Sequence, residues 1–150
     1  MHIKRTTGSD KDFLELVKLL DEDLWKRYPK TQQLYESGNV IPDDVHTILV
    51  YMDEMAVGCG CLRNFDGEES KAELKRMFVR NEFRGRRIGR IIVEELEKWA
   101  AELNKKTIYL ETGVNQPEAI FLYERMHYQW IDNYGEYAGN KESICMKKNL

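Results

Sequence analysis

An irregular strand joined through a basic turn to an amphipathic helix, over residues 72–100, constrains the fold of this chain most. The apolar side chains of the strand fall on two parities: Ala72 and Leu74, then Met77 and Val79. A regular strand keeps its apolar side chains at a period of two, so the apolar face changes across Lys75-Arg76. We therefore predict one extra residue there, a β-bulge.

The helix after this strand has one apolar stripe, with residues that recur at steps of three and four: Ile88, Ile91, Ile92, Leu96, Trp99, Ala100 and Leu103. The turn before it, Arg84–Arg90, contains four arginines and two glycines. The start of a helix has unpaired N–H groups and the positive end of the helix dipole, and glycine lets the backbone approach a ligand closely. We predict that this turn binds an anion, most naturally a pyrophosphate.

Size and composition favour one globular domain over residues 1–150. A net charge of −3 excludes a general polyanion-binding field, so the basic turn is a local feature. The longest apolar runs are far shorter than a membrane span, and the N-terminus lacks an apolar signal region. The three cysteines are odd in number and lack metal spacing, and Cys59 and Cys61 share one face of a strand. We expect a cytoplasmic protein without a metal site.

The remaining pattern predicts short strands alternating with helices. Strands are expected at residues 2–6, 47–52, 55–63, 107–112, 128–134 and 142–148. Three further helices are expected: one that begins at Ser9 or Asp10, one over residues 21–35 with a break near Pro29, and one from Pro117 to Met126. Asp53-Glu54 is predicted as a hairpin turn, and residues 38–44, 65–71 and 135–140 as connections.

The bulged strand, turn and helix resemble the acyl-CoA-binding motif of the GNAT superfamily of N-acetyltransferases, a bulged strand followed by [RQ]xxGx[GA] and a helix. Arg84, Ile88 and Gly89 match this motif, and Gly85 is common at its position. Arg87 stands where the family usually has its first glycine. A second block, residues 115–124, resembles the helix that follows the fifth strand of the family and ends in a similar LYE run.

This resemblance implies an α/β acyl-CoA N-acyltransferase fold. Its sheet would be mixed, mostly antiparallel and seven-stranded, with helices on both faces, a bulge in the fourth strand and a splay between strands four and five. The pantetheine arm of acetyl-CoA would enter the splay and pair with the backbone of Met77, Phe78 and Val79. The pyrophosphate would lie on Arg84, Gly85, Arg86, Arg87, Ile88, Gly89 and Arg90, and Asn115 would contact the CoA arm.

The resemblance also implies direct transfer of an acetyl group to a primary amine. An ammonium group has a pKa near ~10.4 and cannot attack until it loses a proton. Glu73 is the first choice for the base, directly or through water, and Glu111 is its competitor. Tyr123 would protonate the departing thiolate. His127 follows the second motif helix, where the family often has glycine, so we expect a left-handed backbone there rather than a base.

Two other functions remain open at this point. One is a regulatory or interaction module that binds CoA without turnover; CoA release with a panel of amines distinguishes it. The other is a nucleic-acid contact through the arginines, which net acidity opposes and salt-dependent DNA retention would reveal. We expect acetyl-CoA and an amine of a small molecule or protein as partners, without nucleic acid or membrane, and a homodimer as one candidate assembly. The acidic run Asp21-Glu22-Asp23 is either a solvated helix face or an attractor of cationic amines.

Overall fold

A seven-stranded sheet organises the chain in a computed structural model, which describes residues 1–30, 42–65 and 67–150. The strands and helices in chain order are β1 (His2–Thr6), α1 (Lys11–Arg27), β2 (His46–Met52), β3 (Met55–Phe65), β4 (Glu68–Val79), α2 (Ile88–Glu102), β5 (Thr107–Gly113), α3 (Pro117–Arg125), β6 (Gln129–Ile131) and β7 (Ser143–Asn149). The strand order across the sheet is β1-β2-β3-β4-β5-β7-β6. Only β4 and β5 pair in parallel among the described strands, so the predicted mixed, mostly antiparallel sheet is confirmed.

Helices cover both faces of the sheet, as predicted. On one face, Phe13, Leu16 and Leu20 of α1 pack against β3, where Cys59 and Cys61 are both buried. On the other face, the apolar stripe of α2 and the inner side of α3 enclose the larger cluster, with Ile92 and Leu96 completely buried. None of the described helices is long and apolar enough to cross a membrane.

The predicted bulge in β4 is confirmed. Cys59 of β3 lies opposite Phe78, and Cys61 lies opposite Lys75, so three residue steps of β4 face two of β3. Arg76 takes up the extra length with a left-handed backbone, φ 58. Leu74 and Met77 therefore both face the α2 side in spite of their odd spacing, while Phe78 turns towards α1.

The splay between β4 and β5 begins beside the bulge. The two strands pair from Lys71 with Thr107 as far as Leu74 with Leu110, and their pairing stops there. Beyond this point, among the described strands, β4 remains paired with β3 only, and β5 with β7 only. The facing edges of β4 and β5 thus separate into an opening in the middle of the sheet, as the resemblance implied.

Several element boundaries differ from the sequence prediction. The prediction of a separate helix from Asp21 is wrong for residues 21–27, because they continue α1 to Arg27; residues 31–35 lie outside the described part. The turn predicted at 65–71 is shorter, since β4 already begins at Glu68. The strand predicted at 128–134 covers only Gln129–Ile131. These strand ends are mostly solvent-facing, so hydrophobic alternation does not mark them.

The caps follow the local chemistry of the sequence. Asp10, one of the two predicted caps of α1, accepts a hydrogen bond from the Asp12 N–H at 2.9 Å. Pro117 occupies the first turn of α3, where its missing N–H costs nothing. His127 has φ 72 just past the end of α3, as predicted.

Gly60 allows α2 to lie directly on β3. A Cβ atom there would overlap the sulfur of Met77 and lie 2.9 Å from Ile92 Cγ2. We expect Gly60→Ala to lower the free energy of unfolding by about 1–3 kcal/mol, measured by urea denaturation, because overpacking strains the core. Gly89→Ala is the control: its Cβ would meet only the end of Leu122, at 3.2 Å, so we expect less than about 1 kcal/mol. Equal losses in both variants would contradict the proposed packing constraint.

Candidate active site

A groove of about 610 Å³ passes through the splay. Residues from both faces of the sheet line it, including Leu20 and Leu24 of α1 and Leu122 and Tyr123 of α3. This is possible because β4 and β5 no longer close the sheet between the two helical layers. The groove therefore joins the basic turn before α2 to the interior of the sheet.

The basic turn offers a row of unpaired backbone donors. In the described part of the chain, no oxygen accepts a hydrogen bond from the N–H groups of residues 85–90; the first capping bond of α2 is from Ile91 N to Arg87 O. Gly85 has φ 81 and Arg87 has φ 65, so both adopt the left-handed conformation. The backbone conformation at Arg87 is thus one that favours glycine, as the family motif has there. The arginine still supplies the backbone N–H that a glycine would supply. Such donors at a helix start suit an anion.

The four arginines of the turn are placed differently. Arg84 Nε donates to the Val79 carbonyl at 2.9 Å, and its guanidinium lies over the Phe78 ring. Arg90 pairs with Glu94 one turn along α2. Arg84, Arg87 and Arg90 line the groove, whereas Arg86 lies over the Phe83 ring and is absent from the lining.

The other predicted donor-site residues divide into two groups. Met77, Phe78, Val79, Gly85, Ile88 and Gly89 line the groove. Asn115 does not: its amide donates to the Arg27 carbonyl at 3.2 Å, and its own carbonyl accepts from Arg27. Asn115 thus connects the end of α1 to the loop after β5. Gln116 is the residue of that loop that lines the groove.

Tyr123 reaches the groove from the α3 side. It is buried, its ring packs edge-on against Tyr128, and its hydroxyl has no hydrogen-bond partner among the described residues. Burial, with the charge of Glu111 as a smaller cause, raises the pKa of Tyr123. The phenol is therefore protonated at neutral pH and available as a proton donor.

The two candidate bases lie in different surroundings. Glu73 is 2% exposed and absent from the groove lining; its two oxygens accept hydrogen bonds from Arg63 at 2.7 Å and Tyr134 at 2.6 Å. Glu111 lines the groove, and among the described residues its carboxylate accepts one hydrogen bond, from Ser143 at 2.8 Å. Burial raises the pKa of Glu111 to about 7. The geometry favours Glu111, because a base must reach the acceptor and titrate near the working pH.

The acidic run at residues 21–23 is paired with arginines, although Asp23 also lines the groove, and Cys59 and Cys61 are buried in β3. Asp21 pairs with Arg76, and Asp23 pairs with Arg27. Burial raises the pKa of the Cys59 and Cys61 thiols, which disfavours the nucleophilic thiolate.

Sequence reasoning missed Lys75 and Arg76 as groove residues. Both line it, and both are buried. The bulge was the available signal, because a bulge redirects side chains next to a site.

A sheet opened between two parallel strands, with unpaired backbone donors at one end of the groove and Glu111 and Tyr123 inside it, is the arrangement that the resemblance to the acyl-CoA N-acyltransferase fold implied. Residues 11–128 match the model of the Acetyltransferase (GNAT) family. An "IAA acetyltransferase" of Azospirillum brasilense is 31% identical over 138 residues, which cover 91% of this chain and 90% of the relative. A "Spermine/spermidine N(1)-acetyltransferase" of Bacillus subtilis is 28% identical over 138 residues, covering 91% and 82%.

Solved structures agree with this assignment. A candidate acyl-CoA N-acyltransferase from Klebsiella pneumoniae superposes with a TM-score of 0.81 and 29% identity, covering 99% of this chain and 97% of that one. The PaiA N-acetyltransferase of Thermoplasma acidophilum, solved in complex with coenzyme A, shares the fold with a TM-score of 0.72 at 17% identity over the full length of both chains. The chain belongs to the GNAT family, and its activity is that of an acetyl-CoA-dependent N-acetyltransferase.

Proposed function

We propose that acetyl transfer to the amine is direct, with Glu111 as the general base and Tyr123 as the general acid. The observation that supports this most is that both side chains line one groove at the splay, where an inserted thioester would lie. Glu111 approaches from the edge of β5, and Tyr123 approaches from α3. We also propose that residues 1–150 act as one cytoplasmic domain.

Each group supplies one proton movement. Glu111 takes a proton from the acceptor ammonium, and the neutral nitrogen attacks the thioester carbon. The C–S bond then breaks and Tyr123 protonates the sulfur. The second proton of the attacking nitrogen passes, directly or through water, to the Tyr123 phenolate and restores the phenol, while Glu111 releases its proton to solvent. The overall reaction yields the amide, free CoA and one released proton.

The donor would be held by the turn and by β4. The unpaired N–H groups of residues 85–90 and the arginines of the groove suit the pyrophosphate, and the free edge of β4 near Met77 and Phe78 suits the pantetheine amides. The Val79 carbonyl already accepts from Arg84, so Arg84 both fixes the turn and adds charge.

Turnover with a panel of amines tests this proposal. Purified protein and acetyl-CoA are incubated with candidate acceptors, beginning with spermine and spermidine, on which one relative acts by name. Free thiol is followed over time, and the acetylated product is identified by mass spectrometry. Binding of acetyl-CoA without turnover on any small amine, peptide amine or lysine would favour the regulatory module instead.

The two arginines Arg84 and Arg86 give a matched test of the donor site. Arg84→Ala removes a groove residue, so we expect acetyl-CoA to bind roughly 10-fold more weakly or worse, the usual effect of losing a charged hydrogen-bond donor. Arg86→Ala removes the same charge from the same turn outside the groove lining, and its affinity should stay within about twofold of the wild type. Isothermal titration calorimetry measures both affinities. Equal weakening in the two variants would point to overall charge rather than to a defined site.

A further inference from the structure

Lys75 lines the groove but has no role in the proposed donor binding or proton transfer. Its side chain is buried, and Nζ donates one hydrogen bond, at 2.8 Å, to the phenol oxygen of Tyr137. An ammonium has three N–H donors, so two have no partner in the described part of the chain. Burial raises the pKa of Tyr137, which keeps this single partner a neutral phenol.

The carboxylates around Lys75 do not form an ion pair with it in the described structure. Glu73 is held by Arg63 and Tyr134, and Glu111 accepts from Ser143. Burial lowers the pKa of Lys75, while the negative charges of Glu73, Glu111 and Glu136 act in the opposite direction from a distance. A buried ammonium without a contacting anion is costly, and an anionic group in the groove would offset that cost.

Lys75 and Glu111 occupy equivalent places on the two splayed strands. They follow Leu74 and Leu110, the last residues that pair across β4 and β5. Because those two leucines face the α2 side, the next residue on each strand faces the opposite side of the sheet. The cation and the proposed base therefore lie side by side at the inner end of the opening. Arg76 adds a second buried cation to this wall. One of its terminal nitrogens pairs with Asp21 at 2.6 Å, while its Nε has no hydrogen-bond partner among the described residues.

We infer that Lys75 binds a carboxylate of the acceptor, so that the substrates are amines that also bear a carboxylate, as amino acids do. The inference rests on the proposed function, because it places the acceptor amine at Glu111 and its acid group at Lys75. The phosphates of the donor are not the anion in question, since the turn at residues 85–90 has its own unpaired donors. An acceptor with two or more cationic groups would instead bring a second positive charge against Lys75 and Arg76.

Matched acceptors test this inference. The standard α-amino acids are compared with their primary amides and with the amines that lack the carboxylate, and kcat/KM is measured for the wild type and for Lys75→Met. We expect the wild type to prefer the acids, and Lys75→Met to reduce the acid-to-amide ratio of kcat/KM by roughly 10- to 100-fold, mostly through KM. Lys75→Arg should restore part of the ratio, because it restores the charge. Lys98→Met changes a largely exposed lysine and should leave the ratio unaltered.

The outcomes separate the two proposals. Turnover of amides and simple diamines at least as fast as of acids would overturn the inference while leaving the N-acetyltransferase mechanism intact. An equal loss on acids and amides in Lys75→Met would assign Lys75 to the thioester or to folding, and would also overturn it. If no acceptor is turned over, calorimetric titration of the CoA-loaded protein with the acids decides: binding that is lost in Lys75→Met supports the inference, and no binding overturns it.

Discussion

Glu111→Gln should lower kcat by roughly 10²–10⁴-fold while acetyl-CoA affinity stays nearly unchanged, because the amide keeps the shape of the side chain but cannot accept the proton. The pH profile is the sharper measurement. With its pKa raised to about 7, Glu111 becomes ionised as the pH rises through neutrality, so wild-type kcat/KM should rise across that range. In Glu111→Gln this rise should disappear, leaving only the rise that follows deprotonation of the acceptor amine at higher pH.

Glu73→Gln is the matched comparison, since it makes the same change on the neighbouring strand. Glu73 pairs with Arg63 and Tyr134 and does not line the groove, so we expect its loss to reduce activity by less than about tenfold and to leave the rise near pH 7 in place. The opposite result, an inactive Glu73→Gln and an active Glu111→Gln, would identify Glu73 of β4 as the general base.

Stability provides an internal check on Glu111. Its folded-state pKa lies above the ordinary value of 4.5, so the folded protein holds this proton more tightly than the unfolded chain does. The wild type should therefore lose stability as the pH rises from about 4.5 to about 7. A neutral glutamine removes this loss, so Glu111→Gln should melt no lower than the wild type at pH 8. Low activity at unchanged or higher melting temperature would then reflect chemistry rather than unfolding.

The sequence predicts the fold well where a local irregularity has one physical explanation. The parity change across Lys75-Arg76 has a bulge as its simplest cause, and the bulge lies there with Arg76 at φ 58. The apolar stripe of α2 and the proline at the start of α3 are equally local signals. Solvent-facing strand ends have no such signal, which is why β4 begins earlier and β6 ends sooner than expected.

The candidate site is less predictable because its chemistry depends on partners distant in sequence. Glu73 and Glu111 look alike from sequence, as acidic residues of neighbouring strands. What distinguishes them is that Arg63 and Tyr134 occupy both oxygens of Glu73, whereas Glu111 accepts from Ser143 and lines the groove. Asn115 is a second example. Its side chain donates to the end of α1, which is distant in sequence, and it does not line the groove as expected.

The splay connects these features, because one break in pairing creates both halves of the chemistry. Pairing stops after Leu74 and Leu110, so the backbone edge of β4 is exposed to the donor on one side of the break. The next residues, Lys75 and Glu111, lie where β4 and β5 are no longer paired, and both line the groove. If the pairing of β4 with β5 continued past these two leucines, the backbone edge of β4 would be closed to the donor.

Tyr123→Phe should lower kcat by roughly 10²–10⁴-fold with acetyl-CoA binding nearly unchanged, because only the hydroxyl that protonates the thiolate is removed. Burial raises the pKa of Tyr123, so the phenol keeps its proton throughout the neutral range and its loss should not shift the rise near pH 7 that belongs to Glu111. Stopped-flow detection of free thiol measures the chemical step directly.

Tyr128→Phe is the matched control for this variant. Tyr128 packs edge-on against Tyr123 with ring centres 5.8 Å apart, but its hydroxyl donates to Glu97 at 2.9 Å and it does not line the groove. Its loss should cost about 1 kcal/mol of stability and leave turnover within about twofold of the wild type. Full activity in Tyr123→Phe would reduce Tyr123 to a packing aromatic. In that case the thiolate must leave unprotonated or take its proton from water, because no other phenol lines the described part of the groove.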